Sequence, residues 1–145
     1  MDSISVFSTR SEGRVHLPLQ AQPIKVMLVE DSRVLAERLK ELLDTVPGVE
    51  LVATVDREQD AVDLLKETGV DAIVLDLQLK SGTGFGILRK IAPMSPRPLV
   101  IVYTNYDLPE YRREATILGA AYFLDKSRDY DRLRDILGGI VKATD

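Results

Sequence analysis

The chain contains no cysteine and a single histidine, His16. Without cysteine there is no disulfide, no thiolate nucleophile and no cysteine-bearing zinc site, a composition that suits a reducing cytoplasm. No apolar run approaches the ~20 residues that span a bilayer, because charges break each run within about eight. No membrane segment is expected. An excess of basic charge is missing too: 19 Lys and Arg face 23 Asp and Glu, for a net charge of -4. Such a chain offers no positive field to a nucleic-acid backbone, and direct DNA or RNA binding is not expected. Residues 1–23 lack a continuous apolar core and carry Asp2, Arg10, Glu12 and Arg14, so they do not read as a secretory signal. A flexible tail is expected there, with His16 playing no functional part.

What is present is enough for one globular domain with its own core, expected over 24–145: 145 residues, 45% hydrophobic and 29% charged. From Ile24 onward, short apolar runs alternate with segments of helical period, the pattern of βαβ units around a parallel sheet. The runs are 24–29, 49–55, 72–75, 99–103 and 121–124. Between the first two, Val34, Leu35, Leu39, Leu42, Leu43 and Val46 line one helix face before Pro47-Gly48 stops it. Asp56 with Gln59 reads as a capping box opening the second helix, and Gly69 as its C′ residue. A glycine-rich stretch, 81–86, reads as a flexible loop before a short third helix that stops ahead of Pro93. Asp107, Pro109 and Glu110 suggest a capped start to the fourth helix, which Gly119 ends. Ser127 is a candidate cap for the fifth, where Tyr130, Leu133, Leu137, Ile140 and Val141 recur on one face. The expected class is α/β, a doubly wound five-stranded parallel sheet in the order 2-1-3-4-5.

In such sheets ligands bind beyond the carboxyl ends of the strands, at the point where the strand order reverses. Here that point lies between the first and third strands, which end at Glu30-Asp31 and Asp76. The fourth and fifth strands bring Thr104 and Lys126 to the same rim. Three carboxylates so close repel one another unless protons or a hard cation intervene. Magnesium fits this demand: Asp31 and Asp76 would bind directly, Glu30 through water, and the Gln78 backbone carbonyl could add an oxygen. Asp76 is also the best-placed carboxylate nucleophile toward phosphorus. Lys126 would offset charge on the transferred group, and the Thr104 hydroxyl and Asn105 backbone N–H would donate to it.

At these residues the chain resembles the receiver domain of bacterial two-component response regulators. The resemblance spans about 24–142 and rests on Glu30-Asp31, Asp76, Gly84 eight residues on, Thr104, and Gly119-Ala120 leading to Lys126. It implies a flavodoxin-like (βα)5 fold. It further implies that Asp76 is the phosphoacceptor, charged by a sensor histidine kinase or a histidine phosphotransfer protein. By the same resemblance Thr104 and Phe123 form a switch acting on a surface of the fourth helix, fifth strand and fifth helix, where a downstream protein target docks. Tyr122 is the rival to Phe123, which spacing from Lys126 favours. Such a module is no enzyme toward other substrates; it promotes only its own phosphorylation and dephosphorylation.

Three positions depart from the family pattern. Lys80 and Ser127 stand where proline is frequent. Asn105 stands where a small residue is common, and its bulk is expected to hinder an attacking water and slow dephosphorylation. With the chain ending just past the fifth helix, a stand-alone receiver is expected. The alternatives are a fragment of a longer DNA-binding regulator and a magnesium-dependent phosphatase with an aspartyl nucleophile. The phosphatase would need a second acid where this chain has Gln78. The glycines at 82, 84 and 86 follow the wrong strand for a P-loop and lack its lysine-serine pair. Tyr103, Tyr106 and Tyr111 read as packing and interface residues, and Arg112-Arg113 most simply as the solvated face of the fourth helix or, equally, as a contact for a partner.

Overall fold

The computed structural model describes residues 22–144. Residues 1–21 of the expected tail, His16 among them, lie outside the described residues. Five strands, β1 (Ile24–Val29), β2 (Val49–Val55), β3 (Ala72–Leu75), β4 (Leu99–Thr104) and β5 (Tyr122–Asp125), alternate with five helices. The helices are α1 (Arg33–Asp44), α2 (Glu58–Glu67), α3 (Gly84–Ile91), α4 (Pro109–Ile117) and α5 (Tyr130–Thr144). Every strand pair is parallel and the order is β2-β1-β3-β4-β5, the doubly wound arrangement expected.

Strand alternation divides the core into two layers. Val26, Leu28, Val74, Ile101, Tyr103 and Leu124 face α1 and α5, whereas Met27, Val29, Ile73, Leu75, Val100 and Val102 face α2, α3 and α4. Because both faces are covered, β3 reads as pure Ala-Ile-Val-Leu, all four buried. Each fully buried aliphatic side chain contributes about 1.5–3 kcal/mol of transfer free energy. Tyr103 is core, while Tyr111 packs edge-on against Phe85 and Tyr106 at 5.7 and 6.4 Å between ring centroids.

Several local expectations are corrected. β4 runs one residue further than 99–103, and β5 is shifted by one from 121–124, because Thr104 pairs with Asp125 and the Thr104 carbonyl accepts the Lys126 N–H at 2.9 Å. Asp56 does not cap α2: the Glu58 N–H is taken by the Ser81 carbonyl at 3.1 Å, and Arg57 becomes a cap without a side-chain bond. Gly69 follows the Thr68 cap but is not in the left-handed region; the chain leaves α2 through extended backbone at Thr68. Asp107 does not cap α4 either, since both its carboxylate oxygens are held by arginines, and Leu108 takes the cap position. Ser127 gives its hydroxyl and its N–H to Asp125 at 2.6 and 2.7 Å rather than capping α5. Gly119, at φ 104°, ends α4 as expected.

The 81–86 segment is less a flexible loop than a close-packed one. Gly82 alone of its glycines has positive φ. Gly84 and Gly86 already belong to α3, which Thr83 caps by accepting the Gly86 N–H at 3.0 Å. A Cβ at 84 would collide with the Asp76 carbonyl oxygen, and one at 86 with the Glu58 carboxylate.

Candidate functional site

The carboxyl ends of β1, β3, β4 and β5 form one rim. Asp76 is fixed there by its own N–H, which donates to the Val29 carbonyl at 3.0 Å. Glu30 likewise donates its N–H to Val55 at 2.9 Å. Glu30 and Asp76 are almost fully buried, at 3% and 5% exposure, while Asp31 is half-buried. Carboxylate oxygens of Glu30, Asp31 and Asp76 lie within 4.8 Å of one another. The three acids expected to meet do so.

Lys126 reaches into this group. Its Nζ donates to Asp76 Oδ2 at 2.7 Å and stands 2.7 Å from Glu30 Oε1. The remaining oxygens are shared with backbone: Glu30 Oε2 accepts the Ser32 N–H at 3.0 Å and Asp76 Oδ1 the Gln78 N–H at 3.3 Å. Burial pushes the Glu30 carboxyl above its ordinary range, and the bonds from Lys126 and Ser32 offset this only in part. At Lys126 burial acts to lower the ammonium, yet its bonds to Asp76 and Glu30 prevail and it is raised. The difference follows from numbers of partners: the ammonium has two anions, whereas the Glu30 carboxylate has one cation and a neighbouring anion.

Three carboxylates against one ammonium leave the rim electronegative. All-oxygen donors from separate strand ends, one of them open to solvent at Asp31, fit a small hard divalent cation rather than a soft one. Gln78, two residues past Asp76, turns its N–H toward the carboxylate.

Thr104 is fully buried at the end of β4, its Oγ1 accepting the Tyr106 N–H at 3.3 Å. Asn105 beside it is exposed. Phe123 is half-buried against the α2–α3–α4 layer, and Tyr122 is exposed. Over the Phe123 ring lies the Arg112 guanidinium, 4.7 Å from the centroid. Arg112 is therefore not the plain solvated residue expected from its helix. Its Nε donates to Asp107 Oδ1, and Arg128 Nη2 donates to Asp107 Oδ2 at 2.8 Å. These partners come from three separate segments, so no local period announces them.

Beside the acids, a cleft of about 300 Å³ opens between α1 and the rim, lined among others by Glu30, Asp31, Arg33, Asp56 and Lys80. It gives the carboxylates an approach from solvent.

Comparison with known proteins agrees with this geometry. Residues 26–138 match the family described as response regulator receiver domain. The protein-glutamate methylesterase/protein-glutamine glutaminase of Symbiobacterium thermophilum is 32% identical over 128 residues, 84% of this chain and 35% of that protein. The chain spans less than half the length of the curated relatives it matches. Among solved structures, the response regulatory domain of protein mrkE from Klebsiella pneumoniae superposes with a TM-score of 0.75 at 28% identity, covering 82% of this chain and 96% of that one. A manganese-bound response regulator superposes at 0.68 with 26% identity, covering 81% and 91%.

Proposed function

The chain belongs to the response regulator receiver-domain family of two-component signalling, and on that premise we propose that Asp76 is its phosphoacceptor. The observation that carries the assignment is the placement of Asp76: a nearly buried carboxylate at the end of the central strand, touching Lys126 and grouped with two further acids. An Asp76 oxygen attacks the phosphorus of a phosphohistidine on a sensor kinase or phosphotransfer protein. The P–N bond breaks with its electron pair remaining on the imidazole nitrogen, and a new O–P bond gives the acyl phosphate.

Lys126 keeps its cation at Asp76 Oδ2, ready to offset charge on the entering group. The Thr104 hydroxyl and the Asn105 N–H donate to the phosphoryl oxygens. Glu30, Asp31, Asp76 and the Gln78 carbonyl would hold a magnesium ion, which supplies Lewis-acid charge stabilisation when bound. The manganese of the related regulator supports a divalent cation of this class.

Signalling follows from a bistable element. When the Thr104 hydroxyl turns toward the phosphoryl group, it vacates volume behind β4 that the Phe123 ring enters, and the α4–β5–α5 surface presented to a protein target changes. The test is incubation with acetyl phosphate, with and without magnesium. One covalent phosphoryl group per chain, formed only with the metal, supports the reading. Steady turnover of a phosphomonoester would instead make the protein a phosphatase.

A further inference from the structure

The residues beyond the phosphoryl rim form a circuit that the reaction itself leaves unused. Thr104 Oγ1 accepts the Tyr106 N–H at 3.3 Å, a long bond that is readily given up. Asp107 follows directly. Its two carboxylate oxygens are divided between Arg112 of α4 and Arg128 of the β5–α5 connection. Arg112 covers the Phe123 ring, while Arg128 Nη1 also reaches Asp125 Oδ2 at 3.6 Å. Asp125 immediately precedes Lys126, which returns the path to Asp76.

We propose that Asp107, Arg112 and Arg128 form a latch that holds Phe123 in its half-buried place until phosphorylation draws the Thr104 hydroxyl away from Tyr106. This rests on the receiver reading above and names the residues that set its switching threshold. Arg112 and Arg128 belong to different segments of the signalling surface, and one carboxylate ties them together across β5. An arginine suits the task because its planar guanidinium can give an edge N–H to a carboxylate while its face lies on a ring. The bond from Arg112 also holds the Asp107 carboxyl below the usual carboxylate range, so the latch is charged at neutral pH. Movement of residues 105–107 pulls on that carboxylate first, and the guanidinium then leaves the ring free to move. Asp107 and Arg112 are thus positioning residues for Phe123 and touch no reacting atom.

The test uses the full chain carrying fluorinated phenylalanine, read by fluorine NMR, with the Phe123 resonance assigned through Phe123→Leu. Magnesium with beryllofluoride serves as the phosphoryl mimic and is expected to move the wild-type Phe123 resonance. Asp107→Asn and, as a second variant, Arg112→Gln are expected to shift it part of the way toward the mimic-bound position without any mimic. Both are expected to speed phosphorylation by acetyl phosphate by about fivefold, the weight of one partly desolvated cation–π contact. A residue that merely capped α4 would lower thermal stability and leave the resonance and the rate alone. If the wild-type resonance does not respond to the mimic, the receiver reading and the latch fall together. If it responds but both variants keep the wild-type position and rate, the receiver reading stands and the latch is refuted.

Discussion

Lys126 Nζ and Asp76 Oδ2 are 2.7 Å apart although fifty positions separate them in the chain, and the same nitrogen stands 2.7 Å from Glu30 Oε1. One ammonium therefore serves two nearly buried carboxylates. Removing one partner of a buried pair strands the other, at a cost of about 3–5 kcal/mol. Lys126→Met, which keeps the length and apolar stem, is expected to lose that order of stability in urea denaturation without divalent metal. Adding Glu30→Gln should recover part of the loss, since one of the two stranded charges is then gone.

The rim also sets how stability responds to pH. Glu30 titrates above its ordinary 4.5 because burial outweighs its bonds. Between 4.5 and its raised value, the folded protein holds a proton that the unfolded chain has released. Stability thus falls as pH rises through that window. Lys126 is raised above 10.5, so its contribution is complete below that pH and is lost as the pH rises through its folded value. Asp107 is the reverse case: held below 3.8 mainly by the Arg112 bond, it stabilises above that pH and ceases to as the solution is acidified through its folded value. Denaturation curves across pH are expected to lose the first slope in Glu30→Gln and the acid slope in Asp107→Asn.

A cation that binds only the folded rim raises stability by mass action, about 2.7 kcal/mol at a hundredfold excess over its dissociation constant. Magnesium is expected to raise the thermal midpoint of the wild type and to have little effect on Asp31→Asn. Asp31 makes a discriminating probe because it is only half-buried, so the substitution leaves the core intact.

Gly84 and Gly86 are two residues apart and differ in what a methyl group would strike. At 84 the obstacle is the backbone carbonyl of Asp76 itself; at 86 it is the far end of the Glu58 side chain, a carboxylate that also accepts the Thr83 N–H at 3.0 Å. Gly84→Ala is expected to cost about 1–3 kcal/mol and, if Asp76 is the phosphoacceptor as proposed, to slow phosphorylation by acetyl phosphate, because the Asp76 backbone must shift. Gly86→Ala should cost less in thermal unfolding and leave the rate near wild type.

The contrast between these glycines shows where the sequence was legible. The strands were readable because a sheet covered on both faces makes nearly pure apolar runs, and Asp31, Asp76 and Thr104 stand where such runs end. Lys126 was readable by the same logic from the fifth run. Misread were groups whose partners are brought together by the tertiary fold rather than by helix or strand period. Asp107 has the composition of a helix cap, but Arg112 and Arg128 hold both its oxygens. Gly84 has the look of a loop residue, but close approach to Asp76 is what excludes a side chain there. Arg112 sits among polar helix residues, and only the folded chain sets it over Phe123.

The proposed phosphoacceptor role of Asp76 can be read on the residue itself. Its most direct test is peptide mapping by mass spectrometry after reaction with acetyl phosphate and magnesium. A single hydroxylamine-labile phosphoryl group on the peptide containing Asp76, absent from Asp76→Asn, is the expected result. No modification of the wild type, or one that survives Asp76→Asn, would contradict it.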